Sequence, residues 1–95
     1  MIAFVWDDDK ATVNYHKHGV TFEEARSVFH DEHARLIADP DHSEDEDRFI
    51  ILGISLKPRL LVVCHCYREN DTVIRIFSAR KATRKEAVIY RRSTK

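Results

Sequence analysis

The sequence contains no apolar run near the ~20 residues that a bilayer-crossing helix needs. Its opening residues turn acidic at Asp7, Asp8 and Asp9, without a basic segment followed by an apolar one. A secretory signal is therefore not read there, and the expected location is the cytoplasm. Cysteine is scarce as well. Cys64 and Cys66 stand two apart in a strand-like run, so they share a face yet lie too far apart for a relaxed disulfide. Buried, reduced thiols are the expectation. Internal repeats, linkers and low-complexity tracts are missing, and 95 residues leave no room for a second core, so residues 1–95 read as one domain. Net charge is zero and no recognition helix stands out, which argues against direct DNA binding by this chain alone.

What is present is an ordinary globular composition, 43% apolar, with charge unevenly spread. Residues 31–47 hold eight acids against one base, Arg35. Residues 80–95 hold seven bases against one acid, Glu86. A basic C-terminal region attracts a polyanion or an acidic partner surface, although a solvated helix face gives the same composition.

Local patterns give an element order. Residues 2–6 read as a short strand. Asp7 is a helix N-cap with Asp8 and Asp9 at the positive end, and Gly19 stops that helix after His18. Thr21 with Glu24 is a capping box opening a second helix, whose Phe22, Ala25, Val28 and Phe29 follow helical spacing. A short strand is read at 35–38. Three strands follow at 48–56, 60–67 and 72–80, joined by turns at Lys57-Pro58 and Glu69-Asn70-Asp71. Thr83 with Glu86 is a second capping box, opening a terminal helix to about Arg92. The fold class expected is α+β, with two N-terminal helices and one C-terminal helix packed on an antiparallel sheet.

Three segments carry a family resemblance. The first is Phe4-Val5-Trp6-Asp7 with Lys10, Asn14, Lys17-His18-Gly19-Val20 and Phe22-Glu23-Glu24-Ala25. The second is Asp39-Pro40-Asp41-His42-Ser43 with Glu46 and Arg48. The third is Arg75-Ile76, then Ser78-Ala79-Arg80-Lys81-Ala82-Thr83-Arg84, Glu86 and Tyr90. In this order and at these spacings the chain resembles BrnT-type toxins of type II toxin–antitoxin pairs over almost its whole length. The resemblance implies a RelE-like fold, an antiparallel sheet with helices on one side. It also implies RNA cleavage that stops translation, and a BrnA-type ribbon-helix-helix antitoxin whose complex with the toxin binds operator DNA.

RNA cleavage without a metal needs a base for the 2′-OH, cations for the five-coordinate phosphate and an acid for the leaving 5′-oxygen. Arg80 is the first candidate for the phosphate, at a strand end just before a helix start, with Lys81 and Arg84 extending the site. The structural alternative pairs Arg80 with an acid such as Glu46. Strand parity sets Ile74, Ile76, Ser78 and Arg80 on one face and Arg75 on the other, so Arg75 and Arg80 reach one phosphate only if a bulge intervenes.

His42 leads the acid–base candidates, with Glu46 as an alternative base or as its orienter, and Arg48 beginning a strand nearby. His65, mid-strand, reads as a core histidine unless helices cover only the other face, where it becomes catalytic. Lys17 and His18 suit a helix C-terminus and are also within reach of phosphate. Tyr90 either packs on the sheet or stacks on a base. Asn14 is a candidate buried bracket between helix and strand, and Trp6 a core anchor.

Asp39, Asp41, His42, Glu44 and Glu46 suggest a divalent-ion site, but their spacing matches no EF-hand loop or zinc signature, so no metal and no cofactor is expected. The competing functional reading is a non-catalytic module that blocks translation or supports operator binding by the antitoxin.

Overall fold

The computed structural model describes residues 2–38 and 48–93. The order is β1 (Ala3–Val5), α1 (Asp8–His18), α2 (Phe22–Ser27) running into a 3₁₀ turn (Val28–His30), β2 (Arg35–Ala38), β3 (Arg48–Ile54), β4 (Leu60–Arg68), β5 (Val73–Lys81) and α3 (Arg84–Ser93). The five strands form one sheet in the order β1-β5-β4-β3-β2. This is the α+β class expected. The sheet is mixed, however, because β1 pairs parallel with β5, Ala3 opposite Val73, while β2 to β5 form an antiparallel meander. The cause is topological. The two N-terminal helices carry the chain from β1 at one edge to β2 at the other, and the meander then returns β5 to the side of β1.

Helix ends follow local chemistry. The Asp7 carboxylate accepts from the Lys10 amide (3.0 Å), and Gly19, at φ 68°, sends its N–H back to the Tyr15 carbonyl. Thr21 accepts from the Glu24 amide (3.1 Å), but the expected box is only half closed. The Glu24 carboxylate turns inward instead, to the Arg59 guanidinium and the Ser55 hydroxyl (2.7 Å). Arg59 also donates to the Gly19 carbonyl, so one ion pair ties the start of α2 to the β3–β4 turn. Its guanidinium holds the Glu24 carboxyl below the ordinary range. The Thr83–Glu86 box is reciprocal, with Glu86 N–H to the Thr83 hydroxyl (3.2 Å) and Thr83 N–H to the Glu86 carboxylate (2.8 Å).

The core lies between α1, α2 and one face of the sheet. Val20, Phe22, Ala25 and Val28 meet Ile51, Leu61, Val63, Ile74, Ile76 and Ala79, with Trp6 edge-on to Phe22 at 5.9 Å. Phe22 is fully buried, so truncating it to alanine costs about 3–5 kcal/mol. Gly53 sits where the 3₁₀ turn comes closest to the sheet. A Cβ there would lie 2.9 Å from Val28 Cγ1 and 3.1 Å from an Asp31 carboxylate oxygen, which leaves no space for a side chain.

Asn14 joins α1 to the sheet. Its side-chain amide donates to the Ala79 carbonyl (2.9 Å) and the Val20 carbonyl (3.0 Å), and its oxygen accepts from the Ala79 N–H (3.1 Å). β1 ends opposite Arg75, so beyond that point β5 has no strand on its outer edge. The Asn14 amide makes there the pair of bonds that a neighbouring strand makes.

The third helix is on the opposite side from the first two, a departure from the expectation of helices on one side. α3 lies on the second sheet face, where Ile89 and Glu86 meet Ile50, Leu52 and Val62 around a cavity of about 110 Å³. Tyr90 secures it. Its hydroxyl donates to the Asp31 carboxylate at 2.6 Å, and burial together with that bond pushes the Tyr90 hydroxyl up to about 12.

Candidate active site

The second sheet face takes its character from one irregularity in β5. Register runs Cys66 opposite Arg75 and His65 opposite Ile76, then resumes with Cys64 opposite Ser78. Phe77 is the extra residue of a β-bulge. Ile74 and Ile76 face the helix-covered core, but so does Ala79, and the intervening bulge therefore turns Arg75, Ser78 and Arg80 all to the second face. The sequence-level parity, which separated Arg75 from Arg80, holds only for an unbroken strand. The bulge supplies the exception.

Pairing across the sheet defines two cationic rows on that face. One runs from Arg48 on β3 across Cys66 to Arg75, and the next but one runs from Leu52 across Val62 to Arg80. Arg48 and Arg75 thus stand two strand spacings apart, about 10 Å between backbones. The Arg48 guanidinium stacks over the Phe77 ring at 4.3 Å from its centroid, and the Lys10 ammonium of α1 lies 5.6 Å from the same centroid. The Arg75 guanidinium makes no hydrogen bond or ion pair among the described residues.

Arg80 is engaged, though with a different acid from the one expected. It holds Glu86 through two parallel bonds of 2.8 and 2.9 Å and donates once more to the Lys81 carbonyl at 3.3 Å. The side chain remains 40% exposed, so an edge of the guanidinium still meets solvent. Arg80 pulls the Glu86 carboxyl down to about 2, and Glu86 in turn raises the Arg80 guanidinium.

The other candidates divide. Lys17 is exposed and His18 half-buried at the end of α1, and both line a groove against Phe77 and Ser78 of β5. Arg84 is exposed in the first turn of α3. Lys81 is exposed as well, but it pairs with Leu61 and so belongs to the opposite sheet face from Arg80. The Tyr90 hydroxyl is committed to Asp31.

His65 corrects the idea of an RNA-facing ring. It lies on the helix-covered face at 0% exposure, edge-on to Phe29 (4.8 Å) and Tyr67 (5.2 Å). Burial pushes its imidazole below the ordinary histidine range, which suits a neutral ring donating from Nδ1 to the Val63 carbonyl (3.1 Å). His42 and Glu46, with Asp39, Asp41 and Glu44 of the suggested ion site, lie outside the described residues. Among the described residues no three His, Cys, Asp or Glu side chains gather as a metal would require, and no helix is long and apolar enough to cross a membrane.

Sequence reasoning passed over Lys10 and Phe77 as site residues and set Arg75 aside. The sequence carries no clean signal for the bulge, because Val73 and Phe77 are apolar at odd positions as Ile74 and Ile76 are at even ones, and Ala79 then adds no visible shift of phase.

Comparison with known proteins bears on the family and the fold. Residues 6–86 match the family model described as "Ribonuclease toxin, BrnT, of type II toxin-antitoxin system". The fold is similar to the crystal structure of the Brucella abortus ribonuclease toxin BrnT, with a TM-score of 0.69 at 19% identity, over 88% of this chain and 100% of that one. A search of curated proteins finds no significant match.

Proposed function

The chain belongs to the BrnT family of ribonuclease toxins of type II toxin–antitoxin systems, and from that premise we propose that it cuts RNA internally, without a metal ion, on the second sheet face. The observation that carries this reading is the β5 bulge, which collects Arg75 and Arg80 with Arg48 on one surface. A phosphodiester becoming five-coordinate gains negative charge on its equatorial oxygens. Planar guanidinium groups fixed on a sheet meet that charge with little reorganisation.

The roles follow from availability. Arg75 is the cation best able to accept a phosphate, being committed to no other group among the described residues. Arg48, oriented by the Phe77 ring, approaches from the other side of β4. Arg80 adds its remaining N–H groups while its bidentate pair anchors α3. Lys81 and Arg84, at the strand exit, and Lys17 and His18, on α1, extend the field that attracts RNA. His42 is proposed as the proton carrier, with Glu46 as the second acid–base group or its orienter, since histidine exchanges protons near neutral pH. His65 has no part in the chemistry, because its buried ring has no path to a substrate. Cleavage stops translation by removing message.

A toxin of a type II pair implies an antitoxin. The proposed partner is a BrnA-type ribbon-helix-helix protein, with operator DNA bound only through the joint complex.

The test is cleavage of a single-stranded RNA by purified protein in the presence of a chelator. Arg75→Ala and Arg48→Ala are expected to lower the rate by at least 10²-fold, about 2.7 kcal/mol of barrier, with folding unchanged. Unaltered cleavage in both would move the active site elsewhere. Loss of cleavage with the chelator, restored by a divalent ion, would replace the metal-free mechanism.

A further inference from the structure

We propose that the groove between α1 and the bulged part of β5 is a nucleotide-binding subsite, in which Phe77 stacks a base of single-stranded RNA beside the phosphate to be cut. The inference rests on the ribonuclease reading and deepens it, because it names residues that hold the substrate without taking part in bond breaking.

Three observations meet in this groove. First, it is a concavity of about 350 Å³ whose lining includes Lys10, Lys17 and His18 against a single acid, Asp9, together with Phe77 and Ser78, a volume within the range of small-ligand sites. Second, its cations are on the surface, with Lys10 and Lys17 exposed on one helix face and His18 half-buried beside them. Third, the aromatic ring at its floor is where it is only because of the bulge. The extra residue that realigns Arg75 with Arg80 is the same residue that presents its ring to α1.

The ring needs explaining. Phe77 is half-buried on a face otherwise marked by arginines, and two cations already approach it, Arg48 closely at 4.3 Å and Lys10 loosely at 5.6 Å. Arg48 fixes the ring from the direction of the cationic row. The Lys10 ammonium, at the end of an unbranched stem, is easily displaced toward a phosphate. A π surface flanked by movable positive charge is the arrangement that takes an unpaired base and its backbone together, and stacking of this kind accepts any base. The groove also lies next to the proposed scissile position along the chain, since its lining residues Phe77 and Ser78 fall between Arg75 and Arg80 on β5. Double-stranded RNA keeps its bases stacked on one another, so the subsite selects single strands.

The experiment measures binding and cleavage separately. Binding uses a fluorescent oligonucleotide of all-2′-deoxy sugars, which has no 2′-OH and is not cut. Cleavage uses the same sequence with a single ribose. Phe77→Leu keeps an apolar side chain at the bulge but removes the ring; it is expected to weaken binding about 5- to 20-fold and, because the ring also orients Arg48, to lower kcat as well, so the binding measurement is the readout for this variant. Lys10→Gln and Lys17→Gln are expected to raise KM several-fold and to flatten the salt dependence, by about 0.7 in the slope of log K against log salt for each phosphate no longer neutralised. An abasic position at the stacked nucleotide is expected to weaken the parent as Phe77→Leu does, and to add nothing in that variant. Thermal midpoints of all variants establish that they are folded; if Phe77→Leu does not fold, the abasic substrate with the parent protein decides. Parent-like binding and KM in the lysine variants, with no effect of the abasic position, overturns the subsite while cleavage by the parent keeps the ribonuclease reading intact. A parent that neither binds nor cuts RNA overturns both.

Discussion

Arg75 and Arg80 face the same side of the sheet although five positions separate them on one strand, because Phe77 has no partner across the β4–β5 ladder. They differ in what else they do. Arg80 grips Glu86 of α3, whereas the Arg75 guanidinium has no such partner among the described residues. Arg80→Ala is therefore expected to destabilise the fold by about 1–2 kcal/mol through loss of a partly exposed bidentate pair, and Arg75→Ala by less than about 0.5 kcal/mol. Urea unfolding of both variants checks this. Equal destabilisation would show that Arg75 also supports the fold.

The same pair makes stability sensitive to acid. Glu86 titrates at about 2 in the folded chain against an ordinary 4.5, chiefly because of its bonds to Arg80. A depressed carboxylate contributes stability that is complete above about 4.5 and is lost as pH falls toward 2. Arg80 is 40% exposed, so solvent screening reduces the contribution to about 1 kcal/mol. Wild type and Glu86→Gln are expected to differ in stability by this amount near neutral pH and to converge as pH falls toward about 2. A constant difference across that range would mean that Glu86 acts by shape and not by charge.

Asn14 carries a larger share of stability than any surface ion pair. Asn14→Ala removes three bonds and leaves the Ala79 N–H and C=O buried without a partner, at a cost of about 2–4 kcal/mol. Asn14→Asp keeps the shape but sets a carboxylate oxygen against the Ala79 carbonyl, and it is expected to be at least as damaging near neutral pH. Chemical denaturation of the two variants measures both effects. Retention of full stability by Asn14→Asp would mean that the donor half of the amide is dispensable.

His65 supplies a test in the opposite direction. His65→Leu is expected to cut RNA within about twofold of wild type, since the imidazole is enclosed by Phe29, Phe49 and Tyr67 and reaches no substrate. Burial lowers the histidine below its ordinary 6.5, so the unfolded state binds the proton first and stability declines as pH falls below 6.5. That decline is expected to be shallower in the variant. A loss of cleavage of about 100-fold in a folded variant would restore His65 to the chemistry.

Much of this architecture was legible in local pattern. The Asp7 and Thr83 caps, the stop at Gly19 and the β4–β5 turn at Glu69-Asn70-Asp71 depend on bonds within a few residues. The turn is built from three successive left-handed residues, at φ 54°, 55° and 67°, and Asn and Asp tolerate such positions better than most. Glu24 shows where locality ends. Its spacing from Thr21 suits a box, but Arg59, 35 positions away, competes for the same carboxylate and wins it. Arg80 repeats the lesson, since an acid partner was foreseeable and Glu86 lies nearby in sequence, yet its identity depended on where α3 came to rest.

Element order, caps, apolar faces and the family motifs were set by the chain alone, because helix periodicity, strand alternation and capping operate over a few neighbouring residues. The faces presented by Arg75 and Arg80, the side of the sheet taken by α3, the burial of His65 and the seat of Asn14 at the β5 edge were decided only in the folded molecule. Each depends on register between strands or on packing between distant segments. A single unpaired residue inverts every orientation after it, and only the neighbouring strand reveals that it is there.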